Sequence, residues 1–177
     1  MSQNIVIETL KTPVGELIAG DFNGMLCLLD WKYRRMRSSI DKRISEDLNA
    51  QFKVGNTPLI ECLKMQLSGY FKGNKSEFDI PIQTVGTDFQ KAVWNELLKI
   101  PYGETRTYLE LSRSLGNEKA IRAIASANGA NAISIIIPCH RIIGSDGKMI
   151  GYAGGIPAKK KLLKLESKDP FRQTTLF

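Results

Sequence analysis

The stretch Ile133-Ser134-Ile135-Ile136-Ile137-Pro138-Cys139-His140-Arg141 decides how the rest of this chain is read. An apolar run this dense, closed by a proline, reads as a fully buried strand. Pro138 cannot donate to a ladder and holds Ile137 extended, so the strand is expected to stop there. The Cys139 thiol then sits where a rigid core element opens into a loop, a common place for a reactive side chain. His140 is the single histidine of the chain, so chemistry joining an imidazole to a thiol has no other location. A cysteine so placed can also be a small buried hydrophobe and nothing more. The residues around it separate the two readings.

Composition sets the outer bounds. With 177 residues, 42% of them hydrophobic, the chain can bury a core in one domain or two small ones. It has no apolar stretch long enough to span a bilayer, and its N-terminus lacks a secretory apolar region. Cys27, Cys62 and Cys139 are widely spaced and odd in number, which excludes a disulfide framework and points to a reducing cytosol. Three scattered cysteines and one histidine do not make a zinc site either, so neither metal nor cofactor is expected. Cys27, within Met25-Leu26-Cys27-Leu28-Leu29, and Cys62 read as packing residues. Charge is uneven: residues 1–84 carry 11 Lys/Arg against 10 Asp/Glu, whereas residues 85–177 carry 14 against 8. The basic half holds the Cys-His pair, which favours a polyanionic partner, nucleic acid before membrane. A basic face can also be merely solvated.

Along the chain, Ile5-Val6-Ile7, Leu17-Ile18-Ala19 and the run from Met25 to Trp31 read as strands separated by turn formers, predicting an antiparallel meander. A helix is expected around 40–52. Thr57-Pro58 supplies an N-cap and a first-turn proline for another, through Leu63, Leu67 and Tyr70. Phe78-Asp79-Ile80-Pro81 resembles a last edge strand, and 82–87 a linker. The second half opens with a helix from Asp88 that places Phe89, Val93, Trp94, Leu97 and Leu98 on one face. Thr107 caps a short helix from Tyr108 to Leu115, and another runs from about Glu118 to Asn128. Two short helices joined by Leu115-Gly116-Asn117 have the form of a helix-turn-helix, although short helix pairs occur in many folds.

On the second of these helices, Ile121, Ile124 and Ala125 share the expected core side. The opposite face carries Lys119, Arg122, Ala123 and Ser126. Small side chains let a helix approach a surface closely, and a lone arginine can then reach deeply. An ordinary alanine-rich helix with a solvated arginine has the same pattern; the charge bias tips the reading towards nucleic acid.

Taken in order, Pro138-Cys139-His140-Arg141, Ile142-Ile143-Gly144-Ser145-Asp146-Gly147, Gly151-Tyr152-Ala153-Gly154-Gly155 and Lys161-Leu162-Leu163-Lys164-Leu165-Glu166 resemble the methylated-DNA–protein-cysteine methyltransferases, which repair O6-alkylguanine. Phe89 to Trp94, Ile100 to Tyr108, Ala123 to Asn131 and, more loosely, Gln66 to Gly73 with Phe78 to Pro81 extend the likeness over the chain to Glu166. The resemblance implies an α+β protein: an N-terminal antiparallel sheet with helices, ribonuclease H-like, over 1–84, then a mostly helical winged helix-turn-helix domain over 85–168 for DNA binding and alkyl transfer. It further implies a monomer that binds double-stranded DNA and removes one alkyl group per molecule from O6-alkylguanine, with O4-alkylthymine as a second candidate lesion.

In that light Cys139 is the nucleophile. Neighbouring residues of an extended chain point to opposite sides, so a bridging water is the easier link from Cys139 to His140; the family uses such a water, and Glu166 matches the carboxylate that orients the histidine. Their task is to bring the thiol below its ordinary value of about 8.5, so that thiolate is present. Displacement at the alkyl carbon then leaves a thioether that water cannot cleave. By resemblance Arg122 replaces the everted base from the minor groove, with Lys119, Ala123 and Ser126 at the DNA. Tyr108 turns the phosphate and protonates the departing guanine. Asn131 is the hinge, and Pro138, Arg141, Ile142, Tyr152, Ala153 and Gly154 belong to the pocket and hinge, with the Ile142 carbonyl and Ala153 amide reading the base edge. Ala132 stands where many members have proline, and Ser126 where Gly or Ala is more usual. No cysteine-rich regulatory domain is expected ahead of residue 1, and the zinc ligands of some animal members are missing.

Beyond Glu166, residues 169–177 read as a flexible tail ending Gln173-Thr174-Thr175-Leu176-Phe177. This resembles the peptide with which bacterial repair proteins hold the sliding clamp; an ordinary frayed terminus would look similar. Two other activities compete with alkyl transfer. A lesion-binding relative without repair activity lacks the cysteine that is present here, and a Cys-His hydrolase suits adjacent residues badly.

Overall fold

The computed structural model describes residues 3–167, which form two compact units that divide between Thr87 and Asp88. The architecture is mixed α+β, a small sheet with helices. In the first unit, β1 (Gln3–Thr12), β2 (Gly15–Phe22) and β3 (Met25–Trp31) form the expected antiparallel meander. Its second turn is Asn23-Gly24 with both residues at positive φ (53° and 80°), the backbone hand that matches the twist of paired strands.

Residues 50–54 depart from the sequence reading. The helix expected over 40–52 is α1, Arg37–Asp47, and it ends early; Asn49 at φ 46° turns the chain into β4, Ala50–Val54. β4 joins β1 in parallel, so the sheet order is β3-β2-β1-β4 and the sheet is mixed, not antiparallel. Parallel neighbours need a long crossover, and α1 lies within it. α2 (Pro58–Phe71) starts as predicted, with the Thr57 side chain accepting from the Ile60 amide at 3.2 Å. The anticipated edge strand at 78–81 does not form. The Leu26 amide donates to Pro81 O (2.8 Å) and the Gln83 amide to Leu26 O (2.9 Å), a single bridge that Pro81, lacking an N–H, does nothing to extend. Ile5, Leu17, Leu26, Leu28, Ile44, Ile60, Leu63 and Tyr70 fill the core of this unit.

The second unit contains α3 (Asp88–Leu98), β5 (Arg106–Thr107), α4 (Tyr108–Ser114), α5 (Ile121–Gly129), β6 (Ile142–Ile143) and α6 (Gly155–Glu166). Thr107 and Glu110 make a reciprocal capping box that fixes where α4 begins, and hence where Tyr108 stands. The Trp94 indole donates to Ala127 O at 2.8 Å and ties α3 to α5. Three apolar residues turn out differently from expectation. Phe89 and Leu98 of α3 are exposed, as is Ile121, because a 3-10 turn at Glu118–Ala120 precedes α5 and shifts its buried side to Ile124, Ala127 and Asn128.

Candidate active site

The buried strand expected before Cys139 is absent. Ile133, Ser134, Ile135 and Ile137 are buried, but they belong to a tight turn in which the Ile137 amide donates back to Ile133 O at 3.0 Å. Ile135 sits at φ 72°, a conformation that costs a β-branched residue about 1–3 kcal/mol and persists only where the surroundings enforce it. Asn131 does the enforcing. Its Nδ2 donates to Ile137 O at 3.0 Å and its Oδ1 accepts from the Ile133 amide at 2.9 Å, so one buried side chain spans both arms of the turn. Apolar density alone could not reveal this, since a buried turn and a buried strand demand the same side chains.

Cys139, His140 and Arg141 follow as one 3-10 turn instead of extended chain, with the Arg141 amide bonded to Pro138 O at 3.0 Å. Opposite strand faces therefore do not separate Cys139 from His140; the turn carries them in different directions. All three side chains are buried, as is Pro138. Among the described residues no helix is long and apolar enough to cross a membrane, and no cluster could hold a metal ion.

Glu166, the last residue of α6, lies beneath this turn. His140 Nε2 is 2.9 Å from Glu166 Oε1. Arg141 grips the same carboxylate twice, Nε to Oε2 at 2.7 Å and Nη2 to Oε1 at 3.0 Å, while its Nη1 donates to Ile100 O at 2.6 Å. Tyr102 packs beside the guanidinium and donates to Leu165 O at 3.2 Å. Burial would raise the Glu166 carboxyl, but the hydrogen bonds of His140 and Arg141, with the guanidinium charge, outweigh it and hold the group well below the usual carboxylate range. Burial lowers His140, so the imidazole is neutral at rest and the bidentate Arg141 pair keeps Glu166 ionised. A carboxylate can only accept, so the Nε2 that faces it bears the proton and Nδ1 presents a lone pair. That Nδ1 is buried and has no hydrogen-bond partner among the described residues.

Lys159 closes the other side. It is fully buried in α6, and its Nζ donates to the carbonyls of Ile142 (2.5 Å), Ile150 (3.0 Å) and Gly151 (3.4 Å). Burial pushes its ammonium down to about 8, while the charge of Cys139 acts in the opposite sense. The clip joins both ends of the loop between β6 and the Tyr152-Ala153-Gly154 turn that starts α6. Tyr152 meets the His140 ring edge-on, centroids 6.3 Å apart. Tyr108, half-buried, is raised by burial and by the charge of Cys139, and the Asn128 side chain bonds its hydroxyl. Arg122, Ala123 and Ser126 are exposed on α5, with Lys119 exposed in the turn before it.

The structure thus gathers Cys139, His140, Arg141, Glu166, Tyr108 and Tyr152, and sets the α5 residues on a separate outward face. Sequence reasoning missed Lys159 and Asn128. Lys159 hides in Lys159-Lys160-Lys161, which reads as solvated, yet its spacing to Leu162, Leu163 and Glu166 puts it on the buried stripe of α6. The tail peptide Gln173, Leu176 and Phe177 lies outside the described residues.

Residues 88–168 match the family model described as 6-O-methylguanine DNA methyltransferase, DNA binding domain. A methylated-DNA–protein-cysteine methyltransferase from Methanosarcina barkeri is 56% identical over 163 residues, covering 92% of this chain and 97% of the relative. Its counterpart from Methanosarcina acetivorans is 42% identical over 157 residues, 88% and 94% of the two chains. The crystal structure of Mycobacterium tuberculosis OGT in complex with DNA superposes with a TM-score of 0.78 at 39% identity, covering 92% of each chain. Likeness of this extent in sequence and in backbone places the chain in the methylated-DNA–protein-cysteine methyltransferase family.

Proposed function

We propose that this protein repairs DNA by transferring the alkyl group of O6-alkylguanine to Cys139, once per molecule. The observation that carries the reading is the proton-accepting Nδ1 of His140, which has no partner among the described residues, lies next in the chain to the thiol and is backed through Nε2 by an ionised Glu166. A water passes the Cys139 proton to Nδ1. The thiolate attacks the alkyl carbon, a C–S bond forms, and the C–O6 bond breaks with its electrons going to the guanine. Tyr108 gives that base a proton and is itself restored by the proton held on the imidazolium. The net change is one alkyl group moved to sulfur and one proton moved to guanine. A thioether has no hydrolytic exit, so the protein is spent.

The lesion reaches Cys139 by leaving the stack, at a cost of a few kcal/mol that is smaller for a badly paired base. Arg122 takes its place from the minor groove, with Lys119, Ala123 and Ser126 against the DNA. In the pocket, the Ile142 carbonyl and the Ala153 amide read the base edge beside Tyr152 and Gly154, and the Asn131 hinge, with Pro138, holds the turn. Arg141 acts by fixing Glu166. Within this reading the second unit, a winged helix-turn-helix, carries DNA binding and transfer by a monomer, and the first is a ribonuclease H-like companion. Residues 173–177 are a separate proposal, a peptide for the sliding clamp; unchanged clamp affinity after their deletion would dispose of it.

The test is a titration of a duplex containing O6-methylguanine. Repair should saturate at one lesion per protein molecule, and spent protein should repair nothing further. Repeated turnover would overturn the proposal, and the same titration with O4-methylthymine would define the lesion range.

A further inference from the structure

Asn128 lies in the last turn of α5, on the buried side with Ile124 and Ala127, and is 6% exposed. Asparagine is a poor helix former and costly to bury without partners, so packing alone does not account for it. Its Nδ2 is 3.4 Å from the Tyr108 hydroxyl oxygen. Its Oδ1 is buried with no hydrogen-bond partner among the described residues. An amide nitrogen has no lone pair to offer, so at this contact the phenol oxygen must accept. The phenol proton is thereby directed elsewhere.

We propose that Asn128 is a positioning residue for the alkyl transfer, holding the Tyr108 oxygen as an acceptor so that its O–H is presented to the departing guanine. This rests on the reading of Tyr108 as proton donor. Burial and the charge of Cys139 both make the phenol a weaker acid, and the hydrogen bond from Asn128 opposes them. The length of the contact suits a site without substrate, where such bonds are commonly long and tighten on loading. The placement also has a mechanical consequence. Arg122 and Ser126 stand on the outward face of the same helix, so the element that meets DNA is the element that aims the proton donor.

The experiment is a double-mutant cycle read by single-turnover methyl transfer, with the titration of Tyr108 followed separately by NMR of ring-labelled tyrosine. Asn128→Leu, which keeps the volume, should slow transfer roughly fivefold, the worth of one neutral hydrogen bond. In a Tyr108→Phe background the same substitution should change nothing. Tyr108 should titrate at higher pH in Asn128→Leu than in the wild type, and Asn128→Ala should shift it in the same direction. Equal slowing in both backgrounds would mean a packing role and overturn the proposal. So would a Tyr108 titration that stays put or moves down, the latter because Asn128 would then be accepting the phenol proton. A wild-type protein that transfers nothing, or a Tyr108→Phe protein as fast as wild type, would strike the underlying reading instead; the titration needs no DNA and still judges the contact.

Discussion

At the scale of single residues, the site depends on groups whose ordinary preferences are overridden. Ile135 at positive φ illustrates the balance. Replacing it by glycine would relieve about 1–3 kcal/mol of backbone strain, but would remove a buried side chain whose truncation costs about 2–5 kcal/mol. Loss of packing wins, so Ile135→Gly should lower the urea midpoint of unfolding. Asn131→Ala should do the same by about 1–3 kcal/mol, since it leaves the Ile133 amide without its acceptor in a buried turn and takes from Ile137 O one of its two donors, the Cys139 amide remaining at 2.8 Å. The buried titratable pair gives a pH dependence. Burial holds His140 below its ordinary value of 6.5, so as pH falls below about 6.5 the unfolded chain takes up a proton that the folded one refuses. Stability therefore declines in that window. Glu166, depressed when folded, adds a second loss as pH falls below its ordinary value of 4.5. Urea denaturation across this range should show the decline, and His140→Gln, which cannot titrate, should flatten its upper part.

Among the elements, α6 carries the most. One stripe of it delivers Lys159 to three carbonyls and Glu166 to His140 and Arg141, so a single helix fixes both the loop at 144–151 and the orientation of the His140 ring. Lys159→Met should destabilise the protein by about 1–3 kcal/mol, through carbonyls left without a donor, and speed proteolytic cleavage in the loop at 144–151; unchanged cleavage would show that the clip does not hold it. Much of this element was legible beforehand. Glu166 at the end of an apolar-faced helix, and Thr107 setting the start of α4, are local signals that burial does not alter. The sequence misled where structure depends on what the chain meets later. Ile133 to Ile137 look the same as strand or as turn until Asn131 is seen bridging them. Residues 50–52 carry a helical pattern that lost to pairing with β1. Lys159 carried no signal apart from its helical phase with Leu162, Leu163 and Glu166.

At the scale of the molecule, the uneven charge found in the sequence predicts a strongly electrostatic affinity for DNA. Affinity for undamaged duplex should fall steeply with salt, since each neutralised phosphate adds about 0.9 to the slope of log affinity against log salt. Arg122→Ala, on the exposed face of α5, should slow transfer far more than it weakens that affinity if it stands in for the everted base. Loss of affinity alone would make it an ordinary phosphate contact. The central claim, that the buried sulfur beside His140 receives the alkyl group, is tested most directly by mass spectrometry after mixing the full chain with an O6-methylguanine duplex. The account predicts one added methyl group on the peptide containing Cys139, in proportion to lesion removed and absent with undamaged DNA. Lesion loss with Cys139 unmodified, or undiminished repair by Cys139→Ser, would contradict it.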